Sequence, residues 1–169
     1  MMKPESTAAD RETLFARLKE LCIASVTAEH EAVFTVEQSQ SLPARLPGAH
    51  TKNPFVVDRD GRAALVVAKD DTSVDLKLVA KRLGLGRLSF GKPERLLDLL
   101  GVTPGSVTPF ALINDPEGRV IVAVDAALLA FPEVNFHPLE NTATTRLATD
   151  DFLRFIRACG HQPLILPLS

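Results

Sequence analysis

The sequence predicts an α+β fold, in which a single domain of residues 1–169 has a central mixed, largely antiparallel sheet flanked by helices. Three observations support this prediction. Segments with helical and strand periodicity are interleaved without the regular alternation that an all-parallel sheet requires. Turn signals such as Asp58–Gly61 and Asn114–Gly118 connect neighbouring apolar runs, as hairpins do. No internal repeat, low-complexity tract or long linker divides the sequence.

Helical spacing and capping residues predict the helices. Thr35 with Gln38 three positions later has the form of a capping box, and Ser73 and Thr149 are the expected N-caps of two further helices. Pro93 suits a first helical turn, while Gly84 suits a helix end. The expected helices cover residues 8–22, a short segment after Thr35 that ends before Pro43, residues 73–83, residues 93–100, one turn at 125–129, and residues from Thr149 to Gly160.

Short apolar runs bounded by turn residues predict the strands. Proline lacks the N–H that a central strand needs, so Pro54 implies an edge position or a bulge in its strand. The expected strands cover residues 32–34, 50–57, 63–68, 87–90, 110–113, 120–124, 131–136, 141–147 and 163–166.

Composition narrows the class of protein. Hydrophobic residues make up 46% and charged residues 24%, as in globular proteins. No apolar run approaches the roughly 20 residues that span a bilayer, and residues 1–10 lack a signal-peptide core. Cys22 and Cys159 are isolated, so we expect reduced, buried thiols and a cytoplasmic location.

Charge and aromatic content bear on nucleic acid binding. The net charge of −2 gives no global argument for it. The chain has no Trp or Tyr, and its nine Phe mostly lie in apolar runs, so a broad aromatic platform for bases is not expected. If RNA binds, contacts with its backbone and terminal nucleotide are expected. A local basic stretch does exist, and it is equally consistent with a solvated helix face: Lys77, Lys81, Arg82, Arg87, Lys92 and Arg95.

The segment Gly101–Pro109 holds two glycines and two prolines before the apolar run 110–113. Such a segment predicts a rigid, bent loop with backbone N–H groups that point outward. Outward N–H groups at a bend can hold an anion or a developing oxyanion. An ordinary tight connection into a strand is the alternative.

Two further positions are candidates for chemistry. Lys52 stands at the polar start of an apolar strand, where it is either a phosphate or carbonyl anchor or a solvated surface residue. His137 precedes a proline and a cluster of Asn and Thr, which favours ligand positioning or proton transfer as much as a self-satisfied turn. The four histidines lack metal-ligand spacing, so no metal site and no cofactor is expected. Neither a GxSxG elbow nor a P-loop occurs.

Three segments together resemble the YbaK / prolyl-tRNA synthetase editing-domain family. They are His50-Thr51-Lys52-Asn53, then Gly105-Ser106-Val107-Thr108-Pro109 followed by Phe110, then Asn135-Phe136-His137-Pro138-Leu139-Glu140-Asn141-Thr142-Ala143-Thr144. The resemblance covers nearly the whole chain. Within the family, the sequence resembles the free-standing bacterial ProX or PrdX type, which are Ala-tRNA(Pro) deacylases.

The resemblance implies an α+β editing domain that removes alanine from mischarged tRNA(Pro) by hydrolysis without a metal. It implies that Lys52, Gly105 and His137 are catalytic. It also implies a set of substrate-binding residues, namely Asn53, Ser106, Val107, Thr108, Pro109, Asn141 and Thr144. Family members commonly have an aliphatic residue where this chain has Pro54.

On this basis we expect loop N–H groups to hold the acyl carbonyl, and a tight pocket to exclude proline by size. Lys77, Lys81 and Arg82 are the expected tRNA contacts. The expected partners are the acceptor end of tRNA(Pro) and a prolyl-tRNA synthetase, with no membrane, no DNA and a monomeric state. Three alternatives remain open: a family deacylase for Cys- or Ser-tRNA, a non-catalytic tRNA-end or synthetase adaptor, and a small-molecule hydrolase that uses His137.

Overall fold

The computed structural model describes residues 8–42 and 45–169. The first seven residues of the polar N-terminal segment, and the helix-ending role of Pro43, lie outside these residues. Nine strands are present among the described residues. They are β1 (Ser25–Glu29), β2 (Ala49–Lys52), β3 (Phe55–Val57), β4 (Ala63–Lys69), β5 (Ser89–Phe90), β6 (Val120–Asp125), β7 (Glu133–Phe136), β8 (Ala143–Ala148) and β9 (Leu164–Leu166).

The strands form one mixed sheet in the order β1-β8-β7-β2-β4-β3-β5, with β6 paired to β4 and β9 paired to β6. Five of the pairings are antiparallel. The pairs β2–β7, β4–β6 and β6–β9 are parallel. The predicted single α+β domain with a mixed, largely antiparallel sheet is therefore confirmed.

Five α-helices flank the sheet in the described part of the chain: α1 (Arg11–Glu20), α2 (Val36–Gln40), α3 (Leu76–Leu83), α4 (Pro93–Leu100) and α5 (Thr149–Ala158). Thr35 caps α2 as predicted, since its side chain accepts from the N–H of Gln38. Gly84 ends α3 with a left-handed backbone (φ 68°), a conformation that glycine adopts without strain. None of these helices is long and apolar enough to cross a membrane.

Strand β4 lies at the centre of the core because both of its faces are covered. Leu65 and Val67 belong to a large cluster beneath α4 and α5, whereas Ala64 and Val66 belong to a smaller cluster with α3 residues. Side chains alternate across a strand, so the continuous apolar run of β4 fills both clusters.

An aromatic group anchors α5 to the larger cluster. Phe152 and Phe155 are fully buried, as the helical spacing predicts. The Phe155 ring meets the Phe110 ring edge to face at a centroid distance of 5.4 Å, and Phe152 lies 4.6 Å from Phe136. Burying each such ring contributes about 1.5–3 kcal/mol. This packing fixes the segment from 105 to 114 against the sheet.

The prediction of a strand at residues 110–113 is wrong. Pro109–Asn114 form a 3₁₀ helix, with Thr108 as the N-cap whose hydroxyl accepts from the N–H of Phe110. A short buried apolar run has the same periodicity whether it is a strand or a helical turn. Here the proline at the first position and the threonine before it favour the helical turn.

The prediction of a strand at residues 32–34 is also wrong, because these residues pair with no strand. The first strand is β1, which pairs antiparallel with β8. Most of β1 is exposed or half-buried, so its sequence Ser-Val-Thr-Ala-Glu carries little apolar signal.

Pro54 divides the strand that was predicted over residues 50–57 into β2 and β3. Lys52 pairs with Ala68, and Phe55 pairs with Leu65, so the register continues and no bulge residue is inserted. Strand β3 has a neighbour on each side, so the predicted edge position is wrong too. The Pro54 carbonyl still accepts from the N–H of Val66 at 2.9 Å, which keeps the chain aligned on β4.

Three smaller predictions also need correction. Asp75, not Ser73, caps α3, because its carboxylate accepts from the N–H groups of Lys77 and Leu78. Thr149 is the first residue of α5 and not its cap, and its hydroxyl donates to the Phe131 carbonyl. Cys22 is exposed, whereas Cys159 is buried as expected. Burial raises the pKa of the Cys159 thiol to about 11.

Gly91 is required by the packing of Phe55. A Cβ at Gly91 would approach two ring carbons of Phe55, a buried residue, to far below the van der Waals contact distance. We expect Gly91→Ala to lower the free energy of unfolding by about 1–3 kcal/mol, as overpacking does. Gly86→Ala is the matched control, because its Cβ would meet only Asp58 and Arg59 at 3.9–4.0 Å. Urea unfolding compares the two variants, and equal stabilities would contradict this account of Gly91.

Candidate active site

A cleft of about 460 Å³ opens at the break between β2 and β3. One wall is the strand segment from Thr51 to Phe55, and a second is the segment from Val33 to Val36 that leads into α2. The loop residues Pro104, Gly105 and Val107 form a third. The cleft therefore collects groups from distant parts of the chain, including Phe90 on β5 and His137 after β7.

Lys52 and Asn53 lie at this break and line the cleft, although Lys52 is the last residue of β2 and not, as predicted, near the start of a longer strand. Lys52 is half-buried at the end of β2. None of the ion pairs among residues 8–42 and 45–169 involves Lys52, and its charge acts on the Asp71 carboxylate only at longer range. The Asn53 amide nitrogen makes long contacts of 3.5 Å with the Thr51 hydroxyl and the Val107 carbonyl. Asn53 thus links β2 to the loop.

The loop is a tight turn, in agreement with its glycine and proline content. Pro104–Ser106 form a 3₁₀ turn, in which the Ser106 N–H donates to the Thr103 carbonyl at 2.9 Å. The Ser106 N–H is therefore not available to an oxyanion. The N–H groups of Gly105, Val107 and Thr108 remain candidate donors to an oxyanion.

The other predicted residues of the loop lie on its buried side, away from the cleft. Ser106, Thr108 and Pro109 are buried, and none of them lines the cleft. The Thr108 hydroxyl is occupied as the cap of the following 3₁₀ helix. Their predicted part in substrate binding stays a prediction, and the structure places them behind Gly105 and Val107, which do line the cleft.

His137 lies at the cleft with a defined tautomer. Its Nδ1 lies 2.9 Å from the Ala143 carbonyl oxygen, and since a carbonyl only accepts, Nδ1 carries the proton. In the neutral ring Nε2 is then an acceptor. Burial, with a smaller contribution from the nearby His30 ring, lowers the pKa of His137 below its ordinary value of 6.5. His137 is therefore mostly neutral at pH 7.

The fold brings together histidines that are far apart in sequence. The ring centroids of His30 and His137 lie 6.2 Å apart. The Thr144 hydroxyl lies 2.8 Å from His30 Nε2, so Thr144 is hydrogen-bonded to the histidine that neighbours His137. Sequence reasoning missed His30, because nothing in its local sequence marks it. Within the described residues no group of three or more His, Cys, Asp or Glu side chains is arranged to hold a metal ion.

Asn141 joins two walls of the cleft. Its side-chain amide donates to the Val33 carbonyl at 2.8 Å, and the Val33 N–H donates to the Asn141 carbonyl at 3.3 Å. A Cβ at Gly105 would lie 3.1 Å from the same amide nitrogen and 3.0 Å from the Phe34 ring. Asn141 therefore positions the 33–34 segment against the glycine of the loop, and is not itself part of the cleft lining.

A second, much smaller cavity of about 20 Å³ lies behind His137 and borders Thr144. The side-chain oxygens of two residues that line it, Asn53 and Asn135, are buried and have no hydrogen-bond partner within the described part of the chain. A polar cavity of this size holds about one water molecule. Such a water would satisfy these acceptors beside the catalytic candidates.

The predicted tRNA contacts lie elsewhere, on α3. Lys77 and Lys81 line a separate groove of about 820 Å³, together with Arg87 and apolar residues of the 85–88 segment. Arg82 is exposed on the same helix but outside the groove lining. The groove is therefore basic with an apolar floor.

The aminoacyl-tRNA editing domain, as a family, matches residues 30–155 of this chain. The chain therefore belongs to that family, which confirms the resemblance seen in the three sequence segments. It is 39% identical over 161 residues to the prolyl-tRNA synthetase associated domain-containing protein 1 of Bos taurus, with 92% of this chain and 94% of the relative covered. It is 34% identical over 152 residues to the prolyl-tRNA editing protein ProX of Acetoanaerobium sticklandii, with 89% and 93% covered.

Solved structures share the fold. A crystal structure of a candidate trans-editing enzyme for prolyl tRNA synthetase covers all of both chains, with a TM-score of 0.70 and 22% identity. At this level of identity the likeness concerns the architecture, including the mixed sheet and its flanking helices.

The buried histidines predict a pH dependence of stability. Burial lowers the pKa of His50, as it does that of His137, below the ordinary value of 6.5. As pH falls through about 6.5, the unfolded chain takes up these protons before the folded chain does, so stability is lost. We expect the free energy of unfolding to decrease between about pH 7.5 and pH 5.5, and to decrease less steeply in His137→Gln.

Urea unfolding of both proteins at constant ionic strength measures these slopes. The slope is compared instead of the absolute stability, because the substitution also changes packing. Identical slopes for the two proteins would show that His137 is not held neutral by the fold.

Proposed function

We propose that this protein is a trans-editing deacylase that hydrolyses Ala-tRNA(Pro). One observation carries the proposal: Lys52, Asn53, Gly105, Val107 and His137 line a single cleft, although three distant segments supply them. Membership of the aminoacyl-tRNA editing family supports the reaction class. The name of the ProX relative supports prolyl-tRNA as the carrier.

The reaction is the hydrolysis of an activated ester. Water attacks the acyl carbonyl, the bond to the terminal ribose oxygen breaks, and alanine and free tRNA leave. Because an aminoacyl ester is already reactive, the protein needs to position water and stabilise the oxyanion, and needs no nucleophile of its own. The N–H groups of Gly105 and Val107 are our candidates for the oxyanion contacts, since both residues line the cleft while Ser106 does not.

Lys52 supplies positive charge beside this loop. Its ammonium group is a compact point charge, well suited to a phosphate or hydroxyl of the tRNA 3′ end. Asn53 holds the lysine's strand end to the loop through Val107. We therefore assign Lys52 to orientation of the ester relative to the loop N–H groups.

His137 acts in its neutral form. With Nδ1 donating to Ala143, Nε2 can accept a proton from water or hold that water by a hydrogen bond. The lowered pKa of His137 keeps this acceptor free of a proton at pH 7. The His30 ring, which is hydrogen-bonded to the Thr144 hydroxyl, lies beside the His137 ring at a centroid distance of 6.2 Å.

Selection of alanine over proline depends on the shape of the cleft where the acyl group binds, and not on the total volume of the cleft. A cleft of about 460 Å³ holds much more than one aminoacyl group. We propose that the rigid turn at Pro104–Val107 narrows the part that receives the acyl group. A packed turn resists expansion, so the larger proline ring is excluded there.

The basic groove on α3 is our candidate binding site for the acceptor stem of the tRNA, in which Lys77 and Lys81 would contact phosphates. Recruitment by a prolyl-tRNA synthetase, a monomeric state and a cytoplasmic location stay predictions. The names of the vertebrate relatives refer to the synthetase, which is why we retain it as a partner to test.

Removing Lys52 tests the proposal. We expect Lys52→Ala to lower kcat/KM for deacylation of Ala-tRNA(Pro) by about 10²-fold, as misplacement of the reacting group does. Lys19→Ala is the matched control, since Lys19 is an exposed lysine on α1 outside the cleft. Release of labelled alanine measures the rates. Full activity of Lys52→Ala would remove Lys52 from the mechanism, and protection of the ester by wild type would favour a non-catalytic adaptor.

The groove predicts a salt dependence. Each phosphate contact adds about 0.7–0.9 to the slope of log affinity against log salt concentration. We expect Lys77→Ala and Lys81→Ala each to weaken tRNA(Pro) binding and to reduce that slope by about 1, and Arg82→Ala, outside the groove lining, to reduce it less. Binding titrations over a range of salt concentrations measure it. If all three slopes equal that of Lys19→Ala, the α3 face is an ordinary solvated surface.

A further inference from the structure

Two phenylalanines are exposed at the same cleft. Phe34 and Phe90 are each 71% exposed, the highest values among the exposed large hydrophobic residues of the described chain, and both line the cleft. The sequence places most Phe in apolar runs, which agrees with the buried rings of the core. Exposed aromatic surface beside a polar site is a common feature of binding sites. The proposed chemistry at Lys52, Gly105 and His137 makes no use of these two rings.

Phe34 is held in place by its backbone, while its ring stays exposed. The Phe34 N–H donates to the side chain of Gln38 at 2.7 Å. The residue before it, Val33, is bonded in both directions to Asn141. The Phe34 ring adjoins Gly105, where even a single added carbon would lie 3.0 Å from it. An apolar ring is thus fixed next to the loop that we assign to the acyl carbonyl.

Phe90 reaches the cleft from another element. It lies on β5, where it pairs with Val56 of β3. The next residue, Gly91, donates its N–H to the Phe55 carbonyl at 2.9 Å and also lines the cleft. The two exposed rings therefore belong to separate walls, each fixed by backbone hydrogen bonds.

The cleft has room for a ligand larger than alanine. Sites of about 300–1,000 Å³ take drug-sized molecules. The volume of the cleft is about 460 Å³. In an aminoacyl-tRNA, the acyl carbon is bonded to a ribose oxygen of the terminal adenosine. Once the carbonyl lies at Gly105, the ribose and its base are the parts of the substrate that must occupy the remaining space.

We propose that the adenine of the terminal nucleotide stacks on Phe34, with Phe90 providing a second aromatic contact. The proposal rests on the proposed function and identifies the subsite for the nucleoside part of its substrate. Bases stack on aromatic side chains through their faces, and this needs no hydrogen-bond donor from the protein. Phe34 and Phe90 are positioning residues in this scheme, because they hold the base and leave the ester to the loop.

Binding of uncharged RNA hairpins tests the proposal independently of hydrolysis. One hairpin carries the acceptor stem of tRNA(Pro) and ends in CCA, and the other has an abasic terminal nucleotide. From the usual contribution of one stacked base, we expect wild type to bind the CCA hairpin about 5- to 100-fold more tightly. The ratio should fall to about 1–3-fold in Phe34→Ala and decrease in Phe90→Ala, and should be retained in Phe34→Tyr.

Val26→Ala is the control, because Val26 is 45% exposed and lies outside the cleft. Its ratio should equal that of wild type. A wild-type ratio near 1, or an unchanged ratio in Phe34→Ala, overturns the proposal even if the protein deacylates Ala-tRNA(Pro). A ratio that is present and lost in Phe34→Ala supports stacking even if no hydrolysis is found, in which case only the proposed activity fails.

Discussion

The break in the sheet at Asn53 and Pro54 is the constraint on which the site depends. Pro54 has no N–H, so regular pairing stops there, yet its carbonyl still bonds to Val66 and the register on β4 continues. The chain therefore passes straight through a gap without losing its alignment. Lys52 and Asn53 are placed at this gap with half-buried side chains. Pro54 departs from the aliphatic residue that the resemblance implies for this position, and the pairing of β2 and β3 with β4 stays in register despite it.

The opposite side of the cleft depends on packing far from it. The Phe110, Phe136, Phe152 and Phe155 rings hold the 3₁₀ helix after the loop against β7 and α5. Asn141 then connects the 33–34 segment to Gly105. Since interiors are close-packed, such a framework has little freedom to widen, and this is the property that selection by size requires. The loop that holds Gly105 is thus fixed by packing and hydrogen bonds, while the exposed rings of Phe34 and Phe90 can contact a ligand in the cleft.

Much of the fold and part of the site follow from local sequence signals. Helix α4, the β3–β4 hairpin and the cap at Thr35 are each specified by residues within a few positions of one another. Strand β1 and the 3₁₀ helix at Pro109–Asn114 were missed or mistaken, because pairing with β8 and burial beneath α5 decide them from a distance. The same holds at the site. Lys52 and the glycine loop stand out in the sequence, whereas His30 and the exposed Phe34 gain their positions only through long-range contacts with Thr144 and Gly105.

The most direct test of the account is single-turnover deacylation by wild type of tRNA(Pro) charged in turn with alanine, proline and cysteine. The account predicts rapid loss of alanine, with proline retained because the turn at Pro104–Val107 excludes its ring. It also predicts that the rate for alanine is unchanged by chelation of metal ions, since the proposed mechanism uses water, backbone N–H groups and His137. Hydrolysis of Pro-tRNA(Pro) at a comparable rate would contradict the size selection. Failure to hydrolyse any of the three, with tRNA bound, would contradict the assignment of a deacylase.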